Sequence, residues 1–248
     1  MNIGLIIIGN EILSGSVADT NTAFLARELF ARGVCLREVA VIPDDVAVIA
    51  SRVREFSSRF DLVVTTGGIG PTHDDVTYEG IARAFGRELE YRSELAGIAA
   101  GKKWWNEAAG QKLCHVPSGA VLLTGGTIPW PPIRVENVVI LPGIPALVEA
   151  HLPALAALLP AGRFFVQTLR CWGREVDLAD AAARVAAASS EVEVGSYPIL
   201  ASGGIPGHVL VKFTGRDESR VAQAVERFRG DLPSDMRTEI LESAQGTT

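Results

Sequence analysis

Cysteine, aromatic residues and long apolar runs are all scarce in this chain. Its three cysteines, Cys35, Cys114 and Cys171, are an odd number, far apart and without a C-x-x-C pair. That spacing argues against a disulfide framework and a thiolate zinc site, and leaves buried free thiols. No apolar run reaches the roughly 18 residues that a spanning helix needs. The opening Met1-Asn2-Ile3-Gly4 runs into an apolar strand without a basic segment or a small-residue cleavage site, so a cytoplasmic location is expected. Basic charge is short as well: 23 Lys and Arg stand against 29 Asp and Glu, a net charge of −6. A general nucleic-acid binder would show a basic face, so no nucleic acid and no membrane is expected as a partner. A phosphorylated small molecule can still be held by local donors and a metal.

What is present is ordinary for a globular protein, with 48% hydrophobic and 21% charged residues over 248 positions. One large or two small domains, each with a proper core, fit that length. The most informative stretch is Thr65-Thr66-Gly67-Gly68-Ile69-Gly70-Pro71-Thr72-His73-Asp74-Asp75-Val76-Thr77. It follows the apolar Leu62-Val63-Val64 and ends where a helical pattern begins, so it reads as strand, glycine loop and helix opening. Glycines let backbone N–H groups approach an anion, and a helix N-terminus adds unsatisfied donors. Asp74 and Asp75 would repel a phosphate unless a hard divalent cation, Mg2+ or another, lay between them. The run is not a dinucleotide fingerprint, because Pro71 lacks an N–H and His73 stands in the third glycine's place. Thr72 and Thr77 are placed either to donate to phosphate or to cap the helix. His73 is expected to face solvent or to support the loop from behind.

Taken in order, the chain alternates strands and helices. The apolar 3–8 reads as a buried parallel strand that delivers Gly9-Asn10-Glu11-Ile12-Leu13-Ser14-Gly15 to its carboxyl end, where open α/β sheets bind ligands. Asn10, Glu11 and Ser14 are therefore candidates for contact with base, ribose or metal. A helix capped by Asp19, Thr20 or Asn21 and ended by Gly33 leads to a strand over 34–41. Val46, Ile49, Ala50, Val53 and Phe56 then recur at helical spacing, with Asp44 or Asp45 as the cap. After a third strand over 62–65, a helix over 93–109 carries Lys102-Lys103-Trp104-Trp105, and packed aromatics with snorkelling lysines explain that run better than a ring-stacking site. The Gly125 to Pro132 segment reads as an ordered loop, 138–141 as a buried strand and 147–159 as a helix. Pro160-Ala161-Gly162 marks a boundary. Beyond it the order is strand, helix, strand, strand, helix, with Ser202 to Gly207 as a hairpin turn. Cys114 and His115 are adjacent on an extended stretch, where side chains point to opposite faces, so they form no nucleophile pair. The expected architecture is a three-layer α/β/α unit with a mostly parallel sheet over 1–160, a smaller α+β unit over 164–242 and a frayed tail over 243–248.

Several of these motifs together resemble one family. Gly9-Asn10-Glu11-Ile12-Leu13-Ser14-Gly15, Pro43-Asp44-Asp45, the glycine run through Thr77, Val116-Pro117-Ser118-Gly119-Ala120 and Leu141-Pro142-Gly143-Ile144-Pro145 look like the molybdopterin-binding domain of CinA proteins. The same domain opens eukaryotic FAD synthases and is related to MogA and MoaB of molybdenum cofactor synthesis. The later residues resemble the small domain that follows it in CinA-type chains, with a KH-like arrangement. The resemblance implies cleavage of ADP-ribose or FAD at the pyrophosphate with a divalent metal, or, in the MogA manner, adenylylation of molybdopterin. A catalytically silent pterin- or nucleotide-binding module is the remaining alternative.

On the matching positions, Asp44 and Asp75 would hold the metal or orient the attacking water, with Asp74 beside them on the metal. Gly67, Gly68, Gly70, Pro71, Thr72, Thr77, Pro142 and Gly143, with Asn10, Glu11 and Ser14, would bind substrate. A homo-oligomer, preferably a dimer, is implied as well. Two departures fall on the Pro142 side: Leu147 stands where an acidic residue is usual, and Thr124-Gly125 and Trp130-Pro131 replace an Asn-Pro and a Pro-Gly. Nothing in this sequence matches the CinA deamidase domain, so deamidation is not implied.

Overall fold

A computed structural model describes residues 1–100 and 107–241, and for 107–109 the backbone alone. The chain divides into two compact units, with the division between Ala161 and Gly162. The first contains β1 (Ile3–Ile8), α1 (Asn10–Leu13), α2 (Asn21–Ala31), β2 (Leu36–Ile42), α3 (Val46–Arg59), β3 (Leu62–Thr66), α4 (Thr77–Ala84) and β4 (Leu89–Tyr91). It continues with α5 (Ser93–Ala99), α6 (Glu107–Cys114), β5 (His115–Pro117), β6 (Val121–Leu122), β7 (Ile133–Val135), β8 (Val138–Leu141) and α7 (Pro145–Ala156). The Lys102 to Trp105 run lies outside the described residues, and α5 and α6 flank it.

Six strands form one sheet in the order β2-β1-β3-β8-β7-β6, with the first four parallel and β7 and β6 antiparallel at the edge. Strand β1 is buried on both faces and its side chains divide by period two. Ile6 and Ile8 enter a core with Ile49, Val53 and Phe56 of α3 and Ile81 of α4, whereas Ile3, Leu5 and Ile7 meet Leu25 and Leu29 of α2 and Val148 and Leu155 of α7. Helices on both faces make the three-layer α/β/α architecture that the alternating pattern implies. Because β1, β2, β3 and β8 run parallel, the segments after them, at Gly9, Pro43, Gly67 and Pro142, all reach one sheet edge.

The second unit contains β9 (Phe165–Cys171), α8 (Glu175–Ala188), β10 (Val192–Ile199), β11 (His208–Gly215), α9 (Glu218–Gly230) and β12 (Thr238–Leu241). Its antiparallel sheet has the order β10-β11-β9-β12, which with the β-α-β-β-α-β sequence is the split βαβ arrangement. Leu169, Val211 and Phe213 of the sheet pack against Leu178 and Val185 of α8 and Phe228 of α9. The fourth strand is an addition to the sequence reading, which placed nothing after α9. Between β10 and β11, Ser202 and Ile205 pair across Gly203 and Gly204, whose φ angles of 59° and 81° suit a two-residue hairpin turn. The tail beyond Leu241 lies outside the described residues. Among the described residues no helix is long and apolar enough to cross a membrane.

Gly67 is where three strand ends meet. Its N–H donates to the Leu141 carbonyl at 3.2 Å, and a Cβ built on it would stand 2.0 Å from the Ile8 carbonyl oxygen, at a φ of 101°. Gly67→Ala is expected to cost more than about 2 kcal/mol of stability, from the forced φ and the clash with backbone. Urea unfolding monitored by circular dichroism measures it.

Candidate functional site

The Gly67 junction turns the chain outward into a cradle. The N–H groups of Gly68, Ile69 and Gly70 donate to no described residue, so three successive donors stand open at the sheet edge. Residues 71–76 then lead, through a turn at 73–74, into α4, which starts at Thr77 where the sequence reading ended the glycine run. The first N–H of α4, on Thr77, is accepted by the Gly68 carbonyl at 3.0 Å, and the buried Thr77 hydroxyl donates to the Gly67 carbonyl at 2.9 Å. Thr77 therefore braces the loop from behind, and the phosphate donors this site can offer are loop N–H groups.

Carboxylates flank the cradle on two sides. A Cβ on Gly70 would lie 2.6 Å from Asp75 Oδ2, and one on Gly68 would lie 3.2 Å from Asp44 Oδ1, so both acids need a glycine opposite them. Asp45, not Asp44, caps α3, accepting from the N–H groups of Ala47 and Val48 at 2.8 and 2.9 Å. That frees Asp44, whose Oδ2 accepts the Asn10 N–H at 2.8 Å and ties α1 to the loop after β2. Asp75 Oδ2 accepts both the N–H and the hydroxyl of Thr72, at 2.8 and 2.5 Å. Asp74 Oδ1 lies 2.6 Å from the same hydroxyl. A hydroxyl carries one proton, so it satisfies one of these carboxylates at a time.

The electrostatics follow from that crowding. Burial pushes the Asp44 carboxyl above the usual carboxylate range, the Asn10 N–H opposes it, and the charges of Glu11, Asp74 and Asp75 push it further up. Asp74 is held below the usual range, first by the Thr72 hydroxyl and then by its own N–H, with small contributions from His73 and Lys112. The Lys112 ammonium also donates to the Thr72 carbonyl, fastening the turn to α6. His73 is 99% exposed in its side chain and so faces solvent.

Around the cradle opens a cleft of about 850 Å3. Glu11, Gly67, Gly68, Gly70, Pro71, Asp75, Pro142 and Gly143 line it, all of them sequence candidates. Asn10, Ser14, Asp44, Thr72, Asp74 and Thr77 are not in its wall: Asn10 binds Asp44 through its backbone, and the Ser14 hydroxyl donates to the Glu11 carbonyl at 3.2 Å. Trp130 and Leu147, the departures on the Pro142 side, are in the wall too, whereas Ile98, Leu113, Ile128 and His151 were missed from the sequence. Only His151 left a signal there, since it falls on the Val148–Leu155 buried face of α7. Among the described residues no three His, Cys, Asp or Glu side chains converge to hold a metal unaided. Cys114 and Cys171 are free and buried thiols with raised pKa, Cys171 to about 11, so neither is a ready nucleophile.

Residues 4–161 match the family model described as "Probable molybdopterin binding domain". The chain belongs to this family. Residues 163–239 of this molybdopterin-binding-domain protein match the model of the FAD synthase middle domain. A protein of Archaeoglobus fulgidus is 40% identical over 233 residues, covering 94% of this chain and 98% of its own length. A protein of Caenorhabditis briggsae named "Probable FAD synthase" is 35% identical over 225 residues, 79% of this chain but 43% of that protein, so the chain spans less than half of it. The crystal structure of CinA from Thermoplasma acidophilum, described as of unknown function, superposes with a TM-score of 0.57 at 31% identity, over 63% of this chain and 98% of that one.

In the molybdopterin-binding unit the raised pKa of Asp44 has a thermodynamic consequence. The folded protein holds the Asp44 proton more tightly than the unfolded chain, so ionised Asp44 weakens the fold at neutral pH. That penalty disappears as pH falls through the folded-state pKa. Asp44→Asn, whose amide oxygen can still accept the Asn10 N–H, is expected to raise Tm at pH 7, with the gain shrinking toward pH 4. Thermal unfolding of both proteins across that range tests the sign.

Proposed function

We propose that this chain is a divalent-metal-dependent nucleotide pyrophosphatase that cleaves the phosphoanhydride bond of ADP-ribose or FAD-like dinucleotides. The observation that carries the reading is the row of open N–H groups on Gly68, Ile69 and Gly70 beside the carboxylates of Asp44 and Asp75. Open N–H donors select an anion, and carboxylates beside an anion call for a cation between them. Asp75, in the cleft wall, and Asp44, against Gly68, would hold it, with waters and the phosphate completing its shell. When bound, a divalent cation neutralises phosphate charge and lowers the pKa of a bound water. The likeness of the second unit to the FAD synthase middle domain, and the relative named as an FAD synthase, support a nucleotide-processing enzyme with flavin or adenine nucleotides in its cleft.

The protein's own part in the chemistry is positional. The loop N–H groups would bind a phosphoryl oxygen and stabilise the charge that grows there as water attacks phosphorus and the bridging oxygen leaves. Asp75, in the cleft wall, would accept the water's proton, and Asp44, fixed by the Asn10 N–H, would hold the far side of the loop. The products are AMP and the second phosphate monoester. Leu147 in the cleft wall favours one rival, a module that binds pterin or nucleotide without turnover.

Purified protein with ADP-ribose or FAD is expected to release AMP in Mg2+ and none in chelator, and Asp75→Asn to lower turnover about 100-fold or more. Full turnover in Asp75→Asn would refute the role given to that carboxylate. Product from Mg-ATP and molybdopterin alone would instead indicate adenylyl transfer, and micromolar binding without product would indicate the silent module.

A further inference from the structure

One polar side chain in the cleft wall has no use in the chemistry above. His151, on α7, is fully buried, yet neither ring nitrogen has a hydrogen-bond partner among the described residues. Buried polar groups are almost always paired, and leaving both nitrogens of an imidazole unpaired costs free energy that an apolar side chain would avoid. His151 shares the cleft with the glycine cradle, and its neighbours in the wall include Ile128, Pro129, Trp130 and Leu147. A Cβ on Gly126 would stand 3.3 Å from His151 Nδ1, so the backbone passes close over that nitrogen. That cover is held to α7 through Thr127, whose N–H and hydroxyl both donate to the Ala150 carbonyl, at 2.9 and 3.2 Å.

We infer that His151 is a specificity-determining residue: its imidazole reads the hydrogen-bonding edge of a heteroaromatic ring whose phosphates lie on the glycine cradle. This rests on the nucleotide reading above and deepens it. The apolar wall accepts the faces of a flat ring, and a lone group with one donor and one acceptor accepts its edge. Burial lowers the His151 pKa, which keeps the imidazole neutral and so both donor and acceptor. A ligand edge that displaced the glycine backbone at 125–126 would pair Nδ1, the nitrogen this backbone covers. A site that hydrogen-bonds a ring edge rejects ligands lacking that edge, because its buried polar atoms are then left unpaired.

The test compares equilibrium binding of FAD, ADP-ribose and inorganic pyrophosphate, all with Mg2+, to the wild type, His151→Leu and His151→Gln. The leucine is expected to weaken at least one of the ring-bearing ligands tenfold or more and leave pyrophosphate unchanged. The glutamine, with one donor and one acceptor, is expected to recover part of the loss. Free His151→Leu is expected to match or exceed the wild type in Tm. Should the variants not fold, the ring 15N shifts of His151 in the wild type decide, moving with FAD or ADP-ribose and not with pyrophosphate. Equal binding of the ring-bearing ligands by wild type and His151→Leu, an equal loss for pyrophosphate, or unmoved ring shifts would overturn the assignment. Failure of the nucleotide reading looks different: the wild type would then bind neither FAD nor ADP-ribose, and the role of His151 would fall with it.

Discussion

The close approach of three backbones at Gly67 is the constraint on which the site depends. The end of β1 comes within contact of Gly67 through the Ile8 carbonyl, the end of β8 receives its N–H at Leu141, and a Cβ on Gly143 would sit 3.2 Å from its Cα. The Thr77 hydroxyl and N–H then close the loop against α4. None of these contacts leaves room for a side chain at Gly67. With that position fixed, the carboxylates of Asp44 and Asp75 come to lie against Gly68 and Gly70, whose N–H groups have no partner among the described residues. A hydrophobic core on each face of β1 supplies the stability, but the backbone contacts at Gly67 supply the geometry.

Charge is the second element of the site. The charges of Glu11, Asp74 and Asp75 add to burial in raising the cost of ionising Asp44, and the Lys112 ammonium donates to the Thr72 carbonyl. Such an arrangement weakens a protein that binds nothing, which is a common feature of sites whose charges are completed by a ligand. The cleft beyond the acids is of the opposite character, walled by Ile98, Leu113, Ile128 and Trp130. A ligand suited to both parts carries phosphate where it meets the loop and a flat ring where it meets that wall, as a nucleotide does.

Much of this was legible in the sequence, for physical reasons that differ from element to element. Strands β1, β3 and β8 read as buried because a parallel strand covered on both faces is apolar throughout, and Gly67-Gly68-Ile69-Gly70 read as a cradle because glycine has few other uses between strand and helix. The molybdopterin-binding family was legible as well, and the match over 4–161 bears it out. Whether Asp44 or Asp45 caps α3 was not, since adjacent acids before a helix are equivalent until backbone φ and ψ are known; the structure gives the cap to Asp45. The cleft walls were hidden for another reason. Ile98, Leu113, Ile128 and His151 come from four separate segments, and an apolar side chain that faces a cleft has the same spacing as one that faces a core. The last strand, β12, is short and half-exposed and carries no strong period.

If carboxylates and loop N–H groups together make a metal site that phosphate completes, metal and phosphate must bind cooperatively. Titration calorimetry of Mg2+ into the protein, alone and with saturating non-hydrolysable ADP-ribose analogue, measures that cooperativity. The prediction is weak or undetectable Mg2+ binding by the protein alone and at least tenfold tighter binding with the analogue, abolished in Asp75→Asn. Equal Mg2+ affinity with and without the analogue, or an analogue bound equally well in chelator, would contradict it.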